Sequence, residues 1–524
     1  MKFLFALLFP VCIMAQQKDA EILIVNGRVI DGTGNNWYYA NVSIRDGKIF
    51  KIGKEVLPKP GTKVIDARGM IVAPGFIDVH THLEGDEIKN PEATNFILDG
   101  VTTCITGNCG ASNTDIGKYL SWIDSLKLSI NVATLAGHND IRKAAMGRAN
   151  RDASAGEMEQ MESLVTKAMR EGAVGLSTGL IYIPGTYTKT PEIVALAKIV
   201  SAYNGVYASH MRDEGDSVKQ AIEEALTIGR EANIPVEISH FKLSGQQNWG
   251  RSKETVNMIE AARREGIEVT IDQYPYTASS TSISTLMPDE LLADGQDSIR
   301  ARLERPALKD YAVKYMMRRL KKRKLKHFSY AVVATYEEDS TYNGKSIEAI
   351  NLMKGRKHTL KAEATTVVDI MMHGGASAIF HGMGDEDVNR IMQYPFNMFA
   401  SDASIRLFNM GMPHPRGYGT NARVLAKYVR EQKLFSLEEA IRRMTSLPAQ
   451  KFQLAGRGLL KEGYAADIVI FDEKQVSDLS TFEKPHAYSK GFHFVLVNGM
   501  VTVADEKHNG NRAGRALYGK GREK

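Results

Sequence analysis

A chain of 524 residues with 43% hydrophobic and 24% charged residues has the composition of a globular protein with a large core, which excludes disordered and fibrous classes. Three cysteines are too few for a disulfide scaffold. A net charge of +6 that arises from 67 basic against 61 acidic residues is spread too evenly to mark a nucleic-acid surface.

In chain order, Met1 and Lys2 are followed by the apolar run 3–14 and then Ala15, Gln16 and Gln17, the order of a secretory signal with a small residue at the cleavage point. The run is too short to span a bilayer as a stable helix. Cys12 lacks the small residues that precede a lipoprotein processing site. Cleavage after Ala15 and an exported, periplasmic product with no membrane anchor are therefore expected, a buried N-terminal helix being the alternative. From 21 to 72, apolar and polar residues alternate between turn signals such as Asn26–Gly27 and Asp46–Gly47, the mark of short antiparallel strands. The same texture returns at 463–472 and 494–499. One small β-sandwich domain built from both chain ends, 16–73 and 451–524, is expected.

Between these ends, short apolar runs at 75–80, 101–106, 131–136, 173–177, 206–209, 236–239, 269–272 and 398–400 alternate with amphipathic stretches such as 157–171, 217–232 and 253–265. This rhythm predicts an α/β fold, a (β/α)8 barrel of the TIM type over 74–450. Residues from about 286 to 343 break it with a basic helical stretch and an apolar run at 328–335, read as an α+β insertion after the seventh strand. The basic run 318–326 has leucines spaced like one helix face, so it is read as solvated surface rather than a polyanion site. The Lys- and Gly-rich tail after Asn509 is expected to be loosely held.

Polar residues of interest stand where the apolar runs end, and barrel chemistry gathers at that C-terminal face. His80 and His82 are two apart on a predicted strand, so both side chains project from one face and can approach one metal. His210 and His240 each close an apolar run. Either alone reads equally as a satisfied polar residue, but the repeated placement favours a shared site. Once the leader is removed, Cys104 and Cys109 remain, close enough in sequence to pair in an oxidising compartment. Cys104 reads as a packed strand residue. Cys109, in the glycine-rich segment 105–112 (ITGNCGAS), reads as a thiolate ligand in a zinc site of mixed nitrogen, sulfur and oxygen character. Asp402 is either a helix cap or a carboxylate that takes a proton from metal-activated water and passes it to a leaving group. His138 is as readily structural as pocket-lining, Glu214 supports the site or sits on a helix surface, and His373 and His381 carry no assigned role.

The segments 74–82 (PGFIDVHTH), 105–112, 209–214 (SHMRDE), 239–242 (SHFK), 401–402 (SD) and 413–416 (PHPR) together resemble the amidohydrolase superfamily. Within it they are similar to the D-aminoacylases, or N-acyl-D-amino-acid deacylases, over nearly the whole mature chain. The resemblance implies a metal-dependent barrel beside a β-sandwich, and hydrolysis of N-acyl-D-amino acids to a carboxylate and a free D-amino acid. It implies that Cys109, His210 and His240 hold one tight Zn2+, that His80 and His82 complete a second, weaker or vacant position, and that Asp402 is the catalytic base and acid. In this pattern the cysteine replaces the carboxylated lysine that hydantoinases and dihydroorotases carry on a later strand, and 173–179 (AVGLSTG) offers no lysine.

The resemblance also places Tyr182, Lys242, Tyr274, Ser280 and Arg416 at the substrate, the last suited to a carboxylate by its two-pronged donor edge. Read residue by residue, Lys242 and Arg416 are otherwise surface packing and the tyrosines core. Two departures adjoin the site: Ala403 stands where the family has glycine, and 404–412 is longer and more apolar than the family pattern. A cyclic-amide hydrolase of the hydantoinase or dihydroorotase kind is the alternative, followed by a barrel that has lost catalysis and only binds. The missing lysine and the PHPR segment argue against the former, and retention of all the ligands with Asp402 against the latter. The expected partner is a small-molecule substrate, with no nucleic acid.

Overall fold

The expected apolar runs become the parallel strands β1 (Phe76–Asp78), β2 (Val101–Thr106), β3 (Asn131–Thr134), β4 (Gly175–Gly179), β5 (Val206–His210), β6 (Val236–Ile238), β7 (Val269–Gln273) and β8 (Asn397–Phe399) in the computed structural model, which describes residues 21–523. The leader reading falls on residues 1–20 and lies outside the described residues. Every residue of these strands is buried, as strands covered on both faces must be. β1 to β3 and β4 to β8 pair in parallel with their neighbours in chain order. The third strand runs on into Ala136–Gly137, which pairs with β4. Closure between the last and first strands comes from Asp402 N–H donating to His80 O and His82 N–H donating to Ala403 O, both at 2.9 Å.

Helices cover the outside of the barrel, as the 3.6-residue periodicity of 157–171 and 217–232 requires. The first of them, Ala155–Glu171, starts at a capping box between Ser154 and Glu157, which satisfies two otherwise orphaned donors.

Both chain ends meet in the β-sandwich. One sheet has the order Lys48–Gly53, Asn41–Arg45, Ile22–Val25, Lys63–Asp66. In the other, Ile71–Pro74 from the N-terminal part pairs antiparallel with Ile468–Phe471 from the C-terminal part. Ile24, Val42 and Ile44 share a buried core with Ile468, Ile470 and Leu496. Phe76 of β1 meets Phe471 and Phe492 edge to face at 6.4 and 6.0 Å, joining barrel to sandwich.

The insertion is wider than the sequence rhythm indicates. Strands Ala278–Ser282, Ser377–His381 and Ala331–Thr335 form an antiparallel sheet. Helices Gln296–Glu304, Pro306–Lys322, Ile347–Met353 and Leu360–Met372 pack with it around a separate core that includes Leu303, Met316, Phe328 and Val367. Its first strand is a Ser/Thr run with no apolar alternation, and its last helix has the period of any barrel helix, so neither edge stands out in the sequence. The basic run begins on helix Pro306–Lys322, with Leu320 buried and Lys322 paired to Asp216 at 2.5 Å. The tail after Asn509 is docked instead of loose. Val132 N–H donates to Arg515 O at 2.9 Å and Gly519 N–H to Gly172 O at 2.8 Å. Gly514 and Gly519 allow this approach, because an added Cβ would meet Ile130 O at 2.0 Å and Ala173 O at 2.2 Å.

Beside β7, Lys451 at the end of helix Ser446–Lys451 is buried, with its Nζ donating to Glu268 O at 2.9 Å. Burial lowers its pKa to about 8, against about 10.4 in an unfolded chain. Between these values the unfolded chain binds more protons, so this group makes stability rise with pH across that window, and its cost is fully present below it. Lys451→Met is expected to remove that slope. Thermal midpoints of both proteins across pH 7 to 10 measure it, and parallel curves would refute it.

Candidate active site

The strand ends bring the expected site residues to one mouth of the barrel. His80 and His82 follow β1, Cys109 follows β2, His210 ends β5, His240 follows β6 and Asp402 follows β8. The Cys109 Sγ lies 3.3 Å from His80 Nε2, 3.4 Å from His210 Nδ1 and 3.7 Å from His240 Nε2. Asp402 Oδ1 lies 3.2 Å from His82 Nε2 and 3.7 Å from His80 Nε2. His80 thus stands between a sulfur-centred cluster and a carboxylate-centred one.

The donor set suits zinc. A tetrahedral zinc with one thiolate and imidazole nitrogens separates sulfur from nitrogen by about 3.5 Å, close to the spacings around Cys109. Burial alone would raise the Cys109 thiol, but the imidazoles of His80 and His210 overcome it and hold the thiol well below its ordinary range. Thiolate is the ligating form. The far nitrogens of two histidines are already engaged, which turns the near ones inward. His80 Nδ1 is 3.2 Å from Asp272 Oδ2; His240 Nδ1 is 2.8 Å from Lys242 Nζ and 2.9 Å from Glu214 Oε1. His210 Nε2 is buried without a hydrogen-bond partner.

Behind these ligands lies a layer of buried acids. Asp272 Oδ1 also accepts the His240 N–H at 2.8 Å. Burial, and then the charge of Asp272, push the neighbouring Glu237 well above the carboxylate range, while the charge of His80 outweighs burial and lowers Asp272. Asp78 accepts the backbone N–H groups of Ser401 at 3.1 Å and His80 at 3.2 Å, tying β8 to β1. Asp272 and Glu237 have no role in the sequence reading. Each is an acid within a buried strand, Asp272 in VTIDQ and Glu237 in VEI, and only the histidines that the fold brings beside them give those acids a role.

Three of the site residues hold backbone conformations that side chains disfavour, with φ of 53° at Cys109, 36° at His240 and 50° at Asp402. Such positions cost about 1–3 kcal/mol each and persist where the surroundings over-determine them. Around Cys109 the determinant is glycine. A Cβ on Gly179 would meet Cys109 O at 2.0 Å, and one on Gly110 would meet Asn139 Oδ1 at 2.1 Å.

The cavity above the cluster has a volume of about 420 Å3, and Tyr182, Ser280, Asp402 and Arg416 line it. Arg416 Nη1 lies 2.7 Å from Asp402 Oδ2, and Nη2 donates to Ser280 O at 3.2 Å. This guanidinium overcomes burial and holds Asp402 well below the usual carboxylate range. Tyr182 stacks its ring edge-on to His210 at 4.8 Å, and its hydroxyl is 2.9 Å from Thr281 Oγ1. Lys242 and Tyr274 stand further back. Lys242 Nζ donates to Glu214 Oε1 at 2.5 Å and to His240 O at 2.7 Å. Tyr274 lies under the Arg416 guanidinium at 4.6 Å with its hydroxyl unpartnered.

The cavity also has charged lining residues without a place in the sequence reading, Arg406 among them. Arg406, on the lengthened segment after Asp402, reaches the cavity with a buried, unpartnered Nε, and burial followed by the charge of Arg416 lowers its pKa. Its backbone is pinned by Asn95 Oδ1, which accepts its N–H at 3.0 Å, and by Asn90 Nδ2, which donates to its carbonyl at 3.2 Å. His138 lies outside the cluster, its Nε2 2.9 Å from Glu192 Oε1. His373 caps its own helix through Asp369 O at 2.8 Å, and His381 ends a strand of the insertion sheet.

Comparison with known proteins gives a consistent placement. A family model described as the amidohydrolase family matches residues 63–503. The chain is 35% identical to a D-aminoacylase of Alcaligenes xylosoxydans xylosoxydans over 95% of this chain and 97% of that one. It is also 35% identical to an N-acyl-D-glutamate deacylase of the same organism, over 96% and 97%. The crystal structure of the N-acyl-D-glutamate deacylase from Bordetella bronchiseptica, complexed with zinc and a phosphonate mimic of the tetrahedral intermediate, superimposes with a TM-score of 0.81 at 33% identity, covering 96% of this chain and all of that one. With its buried thiolate among strand-end histidines, this chain belongs to the amidohydrolase family, on the branch of the D-aminoacylases and N-acyl-D-amino-acid deacylases.

Proposed function

We propose that this protein is a zinc-dependent hydrolase that cleaves the amide of N-acyl-D-amino acids, releasing a carboxylate and a free D-amino acid. The observation that carries the reading is the pairing of the Cys109 cluster with a carboxylate, Asp402, that Arg416 holds at 2.7 Å on the cavity wall. Cys109, His210 and His240 are the proposed holders of the tight ion, with His80 and His82 completing a weaker second position. Zinc bound there supplies a Lewis acid that lowers the pKa of water and withdraws charge from an acyl carbonyl. Asp402, ionised beside Arg416, accepts the proton of the attacking water and delivers it to the departing amine. Arg416 and Ser280 orient the substrate carboxylate, Tyr182 closes the cavity over His210, and Lys242 and Tyr274 act by positioning His240 and Arg416. The apolar run 3–14 supports an exported, periplasmic enzyme.

Asp402→Asn is expected to lower kcat by about 100-fold to 10,000-fold, the usual worth of a general base, while retaining the active-site zinc; Cys109→Ala should lose turnover together with that zinc. Metal analysis alongside amine release from N-acyl-D, N-acyl-L and cyclic substrates checks this. Metal-free wild-type protein, or turnover of cyclic amides alone, would sink the proposal.

The cavity wall also bears on the side chain accepted. Arg406, Arg416, Lys143 and Arg148 line it against Asp140 and Asp402, an excess of positive charge that favours a substrate with a second carboxylate. A charge-assisted hydrogen bond contributes about 1.5–3 kcal/mol, so Arg406→Leu is expected to lower kcat/KM for N-acetyl-D-glutamate about 10- to 100-fold. N-acetyl-D-leucine should change by less than about twofold, since it has no second carboxylate to lose that bond. Equal losses on the two substrates would instead assign Arg406 to the carboxylate they share.

A further inference from the structure

We propose that the insertion carries a divalent-cation site of its own, built from His327, Glu348, His358 and Glu363 and separate from the active site. The residues come from different pieces of chain. His327 precedes the turn Phe328–Tyr330, Glu348 is in the first turn of helix Ile347–Met353, His358 is in the following loop, and Glu363 is in the first turn of helix Leu360–Met372. One nitrogen or oxygen from each lies within 4.8 Å of all the others.

Two separate His–Glu pairs would explain the short distances, His327 Nδ1 to Glu363 Oε1 at 2.7 Å and His358 Nε2 to Glu348 Oε1 at 2.5 Å. They would not call for the crossed ones. His327 Nδ1 is also 3.7 Å from Glu348 Oε1, and His358 Nε2 is 3.9 Å from Glu363 Oε1. The imidazoles stack at 4.1 Å, so each Oε1 faces both rings and the four donors surround one point. In a tetrahedral N2O2 site, donors lie about 3.3 Å apart, within the span of these distances. With neutral imidazoles, the form that ligates, the cluster carries two formal negative charges, which a divalent cation matches.

The cluster is also built to hold its shape. Glu363 is fully buried, and its second oxygen accepts the Phe328 N–H at 2.8 Å, leaving Oε1 for the cluster. The mouth is open, with the His358 side chain 49% exposed, so an ion can enter. Imidazole and carboxylate without thiolate select a borderline transition ion such as Zn2+, Co2+ or Ni2+ over Ca2+ or Mg2+, which take all-oxygen shells. Bound there, the ion would tie the two helices to the segment leading into strand Ala331–Thr335. That strand belongs to the sheet that also presents Ser280 to the catalytic cavity.

Cobalt separates this site from the catalytic one, because only the latter has a sulfur ligand. Full-length protein is stripped with chelator, reloaded with Co2+ and compared with the double variant Glu348→Gln/His358→Ala, and both are repeated in the Cys109→Ala background. In that background the otherwise wild-type insertion is expected to bind Co2+ with visible d–d absorption and no thiolate charge-transfer band, and to gain thermal stability. The double variant should lose that absorption and one equivalent of metal. In the Cys109-containing protein the double variant should keep the thiolate band and amide turnover within about twofold, as no residue of this cluster lines the cavity. If the double variant does not fold by circular dichroism, His358→Ala alone, at its exposed position, gives the same readout. Equal Co2+ binding with and without the substitutions would overturn the proposal, as would Cys109→Ala protein that takes up no Co2+.

Discussion

Closure of the barrel between β8 and β1 is the constraint on which the candidate site depends, and it is made by the backbone of that site's own residues. Asp402 N–H is bonded to His80 O and His82 N–H to Ala403 O, while Asp78 clamps Ser401 and His80. A slip of the last strand would break the closure and carry Asp402 away from the histidines together. This coupling explains how Asp402 can hold a φ of 50°. The conformation costs energy locally, but the alternative forfeits bonds on a strand edge that cannot reach water. The alanine after Asp402 fits the same frame. Ala403 is buried without a positive φ, and its methyl lies 3.6 Å from the place a Cβ on Gly417 would occupy.

Burying so many ionisable groups in one mouth is tolerable only if each charge meets an opposite one. Two chains achieve this. Glu237, Asp272 and His80 form one, and Lys242, Glu214 and His240 the other. In the second, Lys242 and His240 outweigh burial to lower the Glu214 carboxyl. Each chain ends at the outer nitrogen of a histidine whose inner nitrogen faces Cys109. The acids thereby orient the imidazoles that crowd the thiolate, an arrangement that serves a metal ligand better than a free nucleophile.

The barrel and the residues of the candidate site were legible because both follow from local pattern. Fully buried strands read as apolar runs, and a polar residue that ends such a run is conspicuous. His80, His82, Cys109, His210, His240 and Asp402 were all marked this way, and the structure brings them together. What was not legible depends on distant contacts. Asp272 is recognisable only once His80 and His240 are beside it, and Arg406 once Asn90 and Asn95 have fixed its loop. The insertion begins in a Ser/Thr strand whose partner lies far along the chain. The tail looked loose because its glycines and basic residues are typical of exposed ends, whereas here glycine permits close docking on β3.

Arg416 joins the proposed base to the insertion strand. One of its terminal nitrogens holds Asp402 and the other holds Ser280 O on the insertion strand, while its Nε is unpartnered. Tyr274 supports the guanidinium face at 4.6 Å, so the group can shift within its plane but not tilt away. On the proposed roles, a substrate carboxylate that engages this guanidinium competes with Asp402 for it, and Asp402 becomes a stronger proton acceptor as its counter-ion is shared. A molecule without a carboxylate in reach leaves Asp402 fully paired. The wall that binds the substrate therefore also readies the base, and because Ser280 belongs to the insertion, the placement of that sheet sets how far Arg416 can move.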